Sequence, residues 1–145
     1  MRLGVDASAL VAEALRLRGR QLLAHTQLDL VIPEEAWSET MHELERGSRL
    51  FIVRQELQES AVVELLDAIS SVLRAHITVV PSQVYADRLD EARLRIPPDK
   101  REAPLIALGL ALDCGIWTAD RDFFGCGLAV WTTETLLAHL GIEVL

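Results

Sequence analysis

Arg2-Leu3-Gly4-Val5-Asp6-Ala7-Ser8-Ala9-Leu10 opens the chain with a short apolar run that stops on a carboxylate. A strand over Arg2 to Val5, followed at once by a helix, accounts for this pattern. Ser8 is placed to cap that helix. Leu10, Val11, Ala14, Leu15 and Leu17, then Leu22 and Leu23, carry its apolar face. Gly19 marks a break or kink. An acid standing directly after a strand lies at the edge where open α/β sheets bind their ligands.

The same unit recurs downstream. Leu28 to Ile32 reads as a second strand, closed by Pro33, which suits the first turn of a helix reaching about Arg46. Ala36, Trp37, Thr40, Met41 and Leu44 share that helix's apolar face. Glu35, Glu39 and Glu43 form an acidic stripe on its flank, and Gly47 is the expected stop or hinge. A helix over about Gln55 to Ala75 leads to a third strand, Ile77 to Val80. Gln83 to Leu94 reads as helical, and Ile96-Pro97-Pro98-Asp99-Lys100 as a loop. The nearly uncharged Pro104 to Leu112 reads as a buried helix ended by Gly115. Ile116-Trp117-Thr118 is a short buried strand, Ala119 to Gly127 a loop, Leu128 to Trp131 a strand and Thr133 to His139 a helix. Ile142 to Leu145 is an added edge strand. Short β-branched strands alternating with helices predict an α/β fold, with a parallel sheet, helices on both faces and right-handed crossovers. No repeat, low-complexity tract or linker divides residues 1–145, so one domain is expected.

Half of the chain is hydrophobic, enough for a sizeable core, and the net charge is -8. That balance argues against a generic DNA-binding module. It leaves room for an enzyme that meets phosphates through bound cations. Lys100 is the only lysine and all other basic residues are Arg, the better fork for phosphate, although a high-GC genome produces the same bias. Cys114 and Cys126 stand in no zinc-ligand pattern and read as small core residues in a reducing compartment. Met1-Arg2-Leu3-Gly4-Val5-Asp6 puts charges where the apolar part of a secretory leader would sit. No uncharged run approaches the ~20 residues that span a bilayer. A soluble, cytoplasmic protein without membrane contact is expected.

The carboxylates carry the chemistry. Asp6 follows the first strand, and Asp120 and Asp122 follow Ile116-Trp117-Thr118. Glu102 precedes the buried helix, and Glu39 lies one to two turns into the helix after Pro33. Each has an ordinary structural reading. Asp6, Asp120 and Asp122 suit turns, Glu39 suits a solvated stripe, and Glu102 is favoured near a helix N-terminus by the macrodipole. A capping box of Asp99 and Glu102 would push Pro104 beyond the first turn, where proline disrupts helical bonding. Together the acids can converge on one cleft. Such a cluster is costly unless protons or hard cations neutralise it, and a cation there suits phosphodiester hydrolysis. Arg121, Arg95 and Lys100 lie in loops near the same edge and are candidates to steer the substrate backbone.

Val5-Asp6-Ala7-Ser8-Ala9-Leu10 resembles the opening motif of PIN-domain nucleases, and Thr118-Ala119-Asp120-Arg121-Asp122-Phe123 their closing motif. Pro33 through Glu39 to Leu44 resembles the helix with the second acid. Glu102-Ala103-Pro104-Leu105-Ile106-Ala107 resembles the helix with the third. Phe124-Gly125-Cys126-Gly127 with Trp131-Thr132-Thr133 is similar to a VapC-like bacterial subgroup, toxins of VapBC-type toxin–antitoxin pairs. The resemblance implies a three-layer α/β/α fold with a central, mainly parallel sheet of four to five strands. It implies Mg²⁺- or Mn²⁺-dependent cleavage of single-stranded RNA, a homodimer, and an antitoxin protein as partner. Carried over by position, Asp6, Glu39, Glu102 and Asp120 are the acidic quartet, with Glu39 preferred to Glu43. Asp122 is a further ligand, and Thr118 orients a water or an acid. The usual third residue is Asp; Glu102 is longer and must fold back to ligate. A phosphoacceptor receiver domain also gathers acids at strand ends, but it needs a lysine after a late strand, and Lys100 stands in the Pro-rich loop. A catalytically silent module of the same fold, binding RNA or protein, is the other alternative.

Overall fold

The structure is a computed structural model. It describes residues 1–55, 58–96 and 100–143, with side chains for all of these except 51, 52, 55 and 100. Five strands form one sheet in the order β3-β2-β1-β4-β5: β1 Arg2–Val5, β2 Asp29–Pro33, β3 Ile77–Val80, β4 Gly115–Trp117 and β5 Val130–Trp131. All four pairings are parallel. The chain winds outward from β1 through β2 to β3. It then returns to lay β4 on the other side of β1. The winding direction therefore reverses between β1 and β4, where open α/β sheets leave a crevice at the carboxyl ends of the strands.

Strand pleating sorts the core into two layers. Leu3 and Val5, Leu30 and Ile32, and Trp117 face one cluster, covered by α1 (Ala7–Ala14), α2 (Leu17–Leu23), α3 (Glu34–Gln55), α4 (Glu59–His76) and α7 (Thr133–Leu140). Val31 and Ile116 face the other, covered by α5 (Leu89–Leu94) and α6 (Ala103–Leu112). In β1, β2 and β4 residues on both faces are buried, as the sequence pattern predicts, whereas the edge strand β3 leaves Thr78 and Val79 exposed. α6 is apolar all round because it packs against the sheet and α5 while its N-terminus borders the site.

Several boundaries differ from those expected. The first helical stretch breaks at Leu15–Arg16, outside both helices, rather than at Gly19. Gly19 lies inside α2, where only glycine fits because the Glu13 carbonyl occupies the place a β-carbon would take. Asp6, not Ser8, is the N-cap residue of α1. α3 runs through Gly47 to Gln55, since a glycine in a long, otherwise helix-favouring segment costs only about 1 kcal/mol. Residues 83–94 form two short 3-10 turns, Ser82–Val84 and Ala86–Arg88, before α5. Asp113, at φ 51°, closes α6, and Gly115 starts β4. The loop expected at 96–100 lies mostly outside the described residues, although Lys100 opens a 3-10 turn to Glu102. Ile142 and Glu143 form no strand, and the end of that expected edge strand lies outside the described residues.

Candidate metal centre

The β1–β4 pairing sets the site. Gly4 and Val5 register with Ile116 and Trp117, and the Asp6 amide donates to the Trp117 carbonyl at 3.0 Å. Both strands therefore end side by side. Thr118, fully buried after β4, donates its hydroxyl to Asp6 Oδ2 at 2.8 Å. It accepts the Asp120 amide at 3.0 Å. Ser8 also donates to Asp6 Oδ2 at 2.8 Å. Two hydroxyls thus hold one oxygen of Asp6, and neither uses Oδ1. Asp120 caps the following 3-10 turn, its Oδ1 accepting the Asp122 amide at 2.9 Å.

Glu102 reaches this edge from the turn that leads into α6. Carboxylate oxygens of Glu102, Asp120 and Asp122 lie within 4.8 Å of one another. The Glu102 carboxyl is pushed up to about 8, first by burial, then by hydrogen bonding with Asp120 and by the charges of Asp120, Asp6 and Asp122. Its Oε2 is buried with no hydrogen-bond partner of good geometry. A buried, unpartnered carboxylate oxygen beside two further acids is unstable as a fully charged set. A proton or a hard cation with oxygen ligands resolves it, so the residues fit a divalent metal ion.

A cavity of about 510 Å³ opens beside the cluster. Asp6, Ser8, Glu39, Glu102 and Asp120 line it, with Pro104, Leu105 and Phe123 as its apolar wall. The structure therefore brings Asp6, Glu102 and Asp120 to one cleft, with Asp122 in the carboxylate cluster and Thr118 behind it. Asp6 and Glu39 line the cleft from the end of β1 and from α3, but neither carboxylate is in the group of three. Glu43 is not among the lining residues. Of the steering residues expected from sequence, Arg95 is committed elsewhere. It donates to Glu91 at 2.7 Å and to the Cys126 carbonyl at 3.0 Å. It also packs where a side chain at Gly127, φ 90°, would stand. Arg121 is exposed and does not line the cleft.

Three polar lining residues escape the sequence reading of the site. Ser8 read as a helix cap; its position two residues after Asp6 is the signal that could have placed it beside that acid. Glu35, read as solvated, lines the cavity one turn before Glu39 and accepts a hydrogen bond from the buried Tyr85 hydroxyl. Its spacing of four from Glu39 puts both on one helix face. Arg101 lines the cavity next to Glu102.

A wholly parallel α/β sheet with acids gathered at its topological switch point fits a nuclease-type domain. The PIN domain family matches residues 5–141, and the chain belongs to that family. Its fold is similar to the crystal structure of PAE2754 from Pyrobaculum aerophilum, with a TM-score of 0.68 and 22% identity over 99% of this chain and 91% of that one. No curated protein matches it in sequence. Among the described residues no helix is long and apolar enough to cross a membrane.

Proposed function

We propose that the protein is a Mg²⁺- or Mn²⁺-dependent endoribonuclease that cleaves single-stranded RNA with a metal-activated water. The observation that carries this reading is the unpartnered, buried Oε2 of Glu102 inside a three-acid cluster. A divalent ion held by Asp6, Glu102, Asp120 and Asp122, with Glu39 across the cleft, would lower the pKa of a bound water and neutralise the leaving oxygen. The chain's own part is orientation. Thr118 and Ser8 fix Asp6, the Asp122 amide fixes Asp120, and burial beside the other acids raises the Glu102 carboxyl, whose proton a bound ion would displace.

The test is a gel assay on single-stranded RNA with Mn²⁺ and with EDTA. Wild type should cleave only with metal, and Asp6→Ala and Asp120→Ala should abolish cleavage while the fold persists. Glu102→Asp, which restores the family's usual residue, should keep or raise activity. Full metal-dependent cleavage by both Ala variants would place the activity elsewhere. A catalytically silent module that only binds RNA or protein is the second reading, favoured by Glu102 in place of the usual Asp.

On this reading the protein is a VapC-like toxin of the cytoplasm, paired with an antitoxin protein. Both cysteines being free fits a reducing compartment. Exposed Leu50, Val53, Val63 and Leu65 on α3 and α4 support a homodimer, and a monomer mass by light scattering at tens of micromolar would contradict it. A neighbouring reading frame for a small DNA-binding protein would support the antitoxin.

A further inference from the structure

The cleft wall is strongly acidic. Asp6, Glu35, Glu39, Glu102 and Asp120 line it, and Arg101 is the one cation among its described lining residues. A phosphodiester entering this cleft meets five carboxylates and one guanidinium, the other described lining side chains being uncharged. Of the cations expected from sequence, those with described side chains do not fill this place. Arg95 and Arg121 stand outside the lining, and the Lys100 side chain lies outside the described residues. Arg101 is adjacent in sequence to Glu102, in the 3-10 turn Lys100–Glu102 that α6 continues. Its place is therefore tied to the same turn that delivers a cluster acid. Guanidinium forks bind phosphate oxygens in a planar, two-point manner that an ammonium cannot reproduce.

We propose that Arg101 is the substrate-binding cation of the cleft, holding the non-bridging oxygens of a phosphate of the single-stranded nucleic acid beside the acid cluster. The proposal rests on the nuclease reading above. The contact is present in the bound ground state, so it acts on affinity more than on turnover.

The test measures binding apart from cleavage. Anisotropy of a labelled single-stranded RNA oligonucleotide is followed in Ca²⁺ over a series of salt concentrations, with the RNA checked for integrity afterwards. Arg101→Ala should weaken binding roughly tenfold, as the loss of one charge-assisted contact. The slope of log Kd against log salt should fall by about 0.7, the value for one phosphate contact on a single strand. Arg101→Lys should restore the slope but only part of the affinity. In the cleavage assay KM should rise while kcat stays within about threefold, and the Mn²⁺-induced rise in Tm should be unchanged because Arg101 is not a metal ligand. Arg101→Gln serves as the second variant if the alanine protein folds poorly. Wild-type binding with an unchanged slope and affinity in the Ala or Gln variants overturns the proposal alone. A wild type that neither binds nor cleaves RNA overturns it together with the nuclease reading, and that result appears before any variant is made.

Discussion

Thr118 Oγ1 and Asp6 Oδ2 lie 2.8 Å apart, joining residues 112 positions distant in the chain. The same hydroxyl oxygen accepts the Asp120 amide. One buried side chain therefore sets the acids after β1 and β4 relative to each other. Thr118→Val keeps the shape, removes both bonds and leaves the Asp120 amide without its partner. We expect a loss of about 1–3 kcal/mol in stability. The Mn²⁺ concentration needed for half-maximal cleavage should rise by roughly ten- to hundredfold, as when the support of a metal ligand is removed. Thr118→Ser should recover most of both. Melts and metal titrations of the two variants check this, and a valine variant with unaltered metal dependence would reduce Thr118 to a packing role.

The acids at strand ends were legible because a strand fixes where the next residue emerges. Val5-Asp6 and Trp117-Thr118-Ala119-Asp120 announce their positions from local pattern alone, and the parallel sheet follows from the alternation of elements. What stayed illegible depends on packing between distant elements. Gly47 looks like a stop but sits on an open helix face with nothing within 4 Å of an added β-carbon, so the helix continues through it. Glu35 looks like a member of a solvated stripe. Its partner Tyr85 lies 50 positions away, on a segment whose pattern predicts a regular helix but which forms 3-10 turns. Glu13 carries no sequence sign that α7 will cover it.

Glu102 links stability to pH. In the metal-free fold its carboxyl holds a proton up to about 8, whereas the unfolded chain releases it near the ordinary glutamate value of about 4.3. Between these limits the folded state binds more protons than the unfolded state. This group's contribution to stability is therefore full below the lower limit and declines as pH rises through the window to about 8. In EDTA, the Tm of wild type minus that of Glu102→Gln should fall across this interval. With Mn²⁺ the trend should reverse, because metal binding needs the deprotonated carboxylate and gains strength as pH rises. A difference in Tm that stays flat with pH in EDTA would contradict the raised carboxyl.

Tyr85 is fully buried and donates to Glu35. The two losses are unequal. Tyr85→Phe leaves the exposed Glu35 to be solvated by water, so about 1 kcal/mol is expected. Glu35→Ala strands a buried hydroxyl and should cost more, about 1–3 kcal/mol, contrary to the solvated-stripe reading. The double variant Tyr85→Phe/Glu35→Ala should be close to the single Phe variant, which is the signature of coupling. Glu45→Ala, which breaks only an exposed pair with Arg49, should change stability by less than about 0.5 kcal/mol. Urea melts of the four proteins decide this, and simple additivity of the Tyr85 and Glu35 losses would sever the pair.

Glu13 is 4% exposed on α1. Its Oε1 accepts from the Thr133 hydroxyl at 3.1 Å, and that hydroxyl oxygen accepts from Trp117 Nε1 at 3.1 Å. Its Oε2 is buried and unpartnered. The nearest cation, Arg16, is 3.9 Å away with its side chain 61% exposed, a geometry that gives little compensation. A charged oxygen held this way costs more than a neutral amide in the same place. Glu13→Gln keeps the acceptor for Thr133 and removes the charge. We expect it to raise stability by about 1 kcal/mol and Tm by roughly 2–4 °C at pH 7. Thr133→Val should do the opposite, because Trp117 Nε1 and Glu13 Oε1 would both lose their partner. Calorimetric melts of the two variants check the pair of signs. A lower Tm for Glu13→Gln would mean that Arg16 compensates the carboxylate more than its exposure implies, and Arg16→Met should then lower the wild-type Tm by a similar amount.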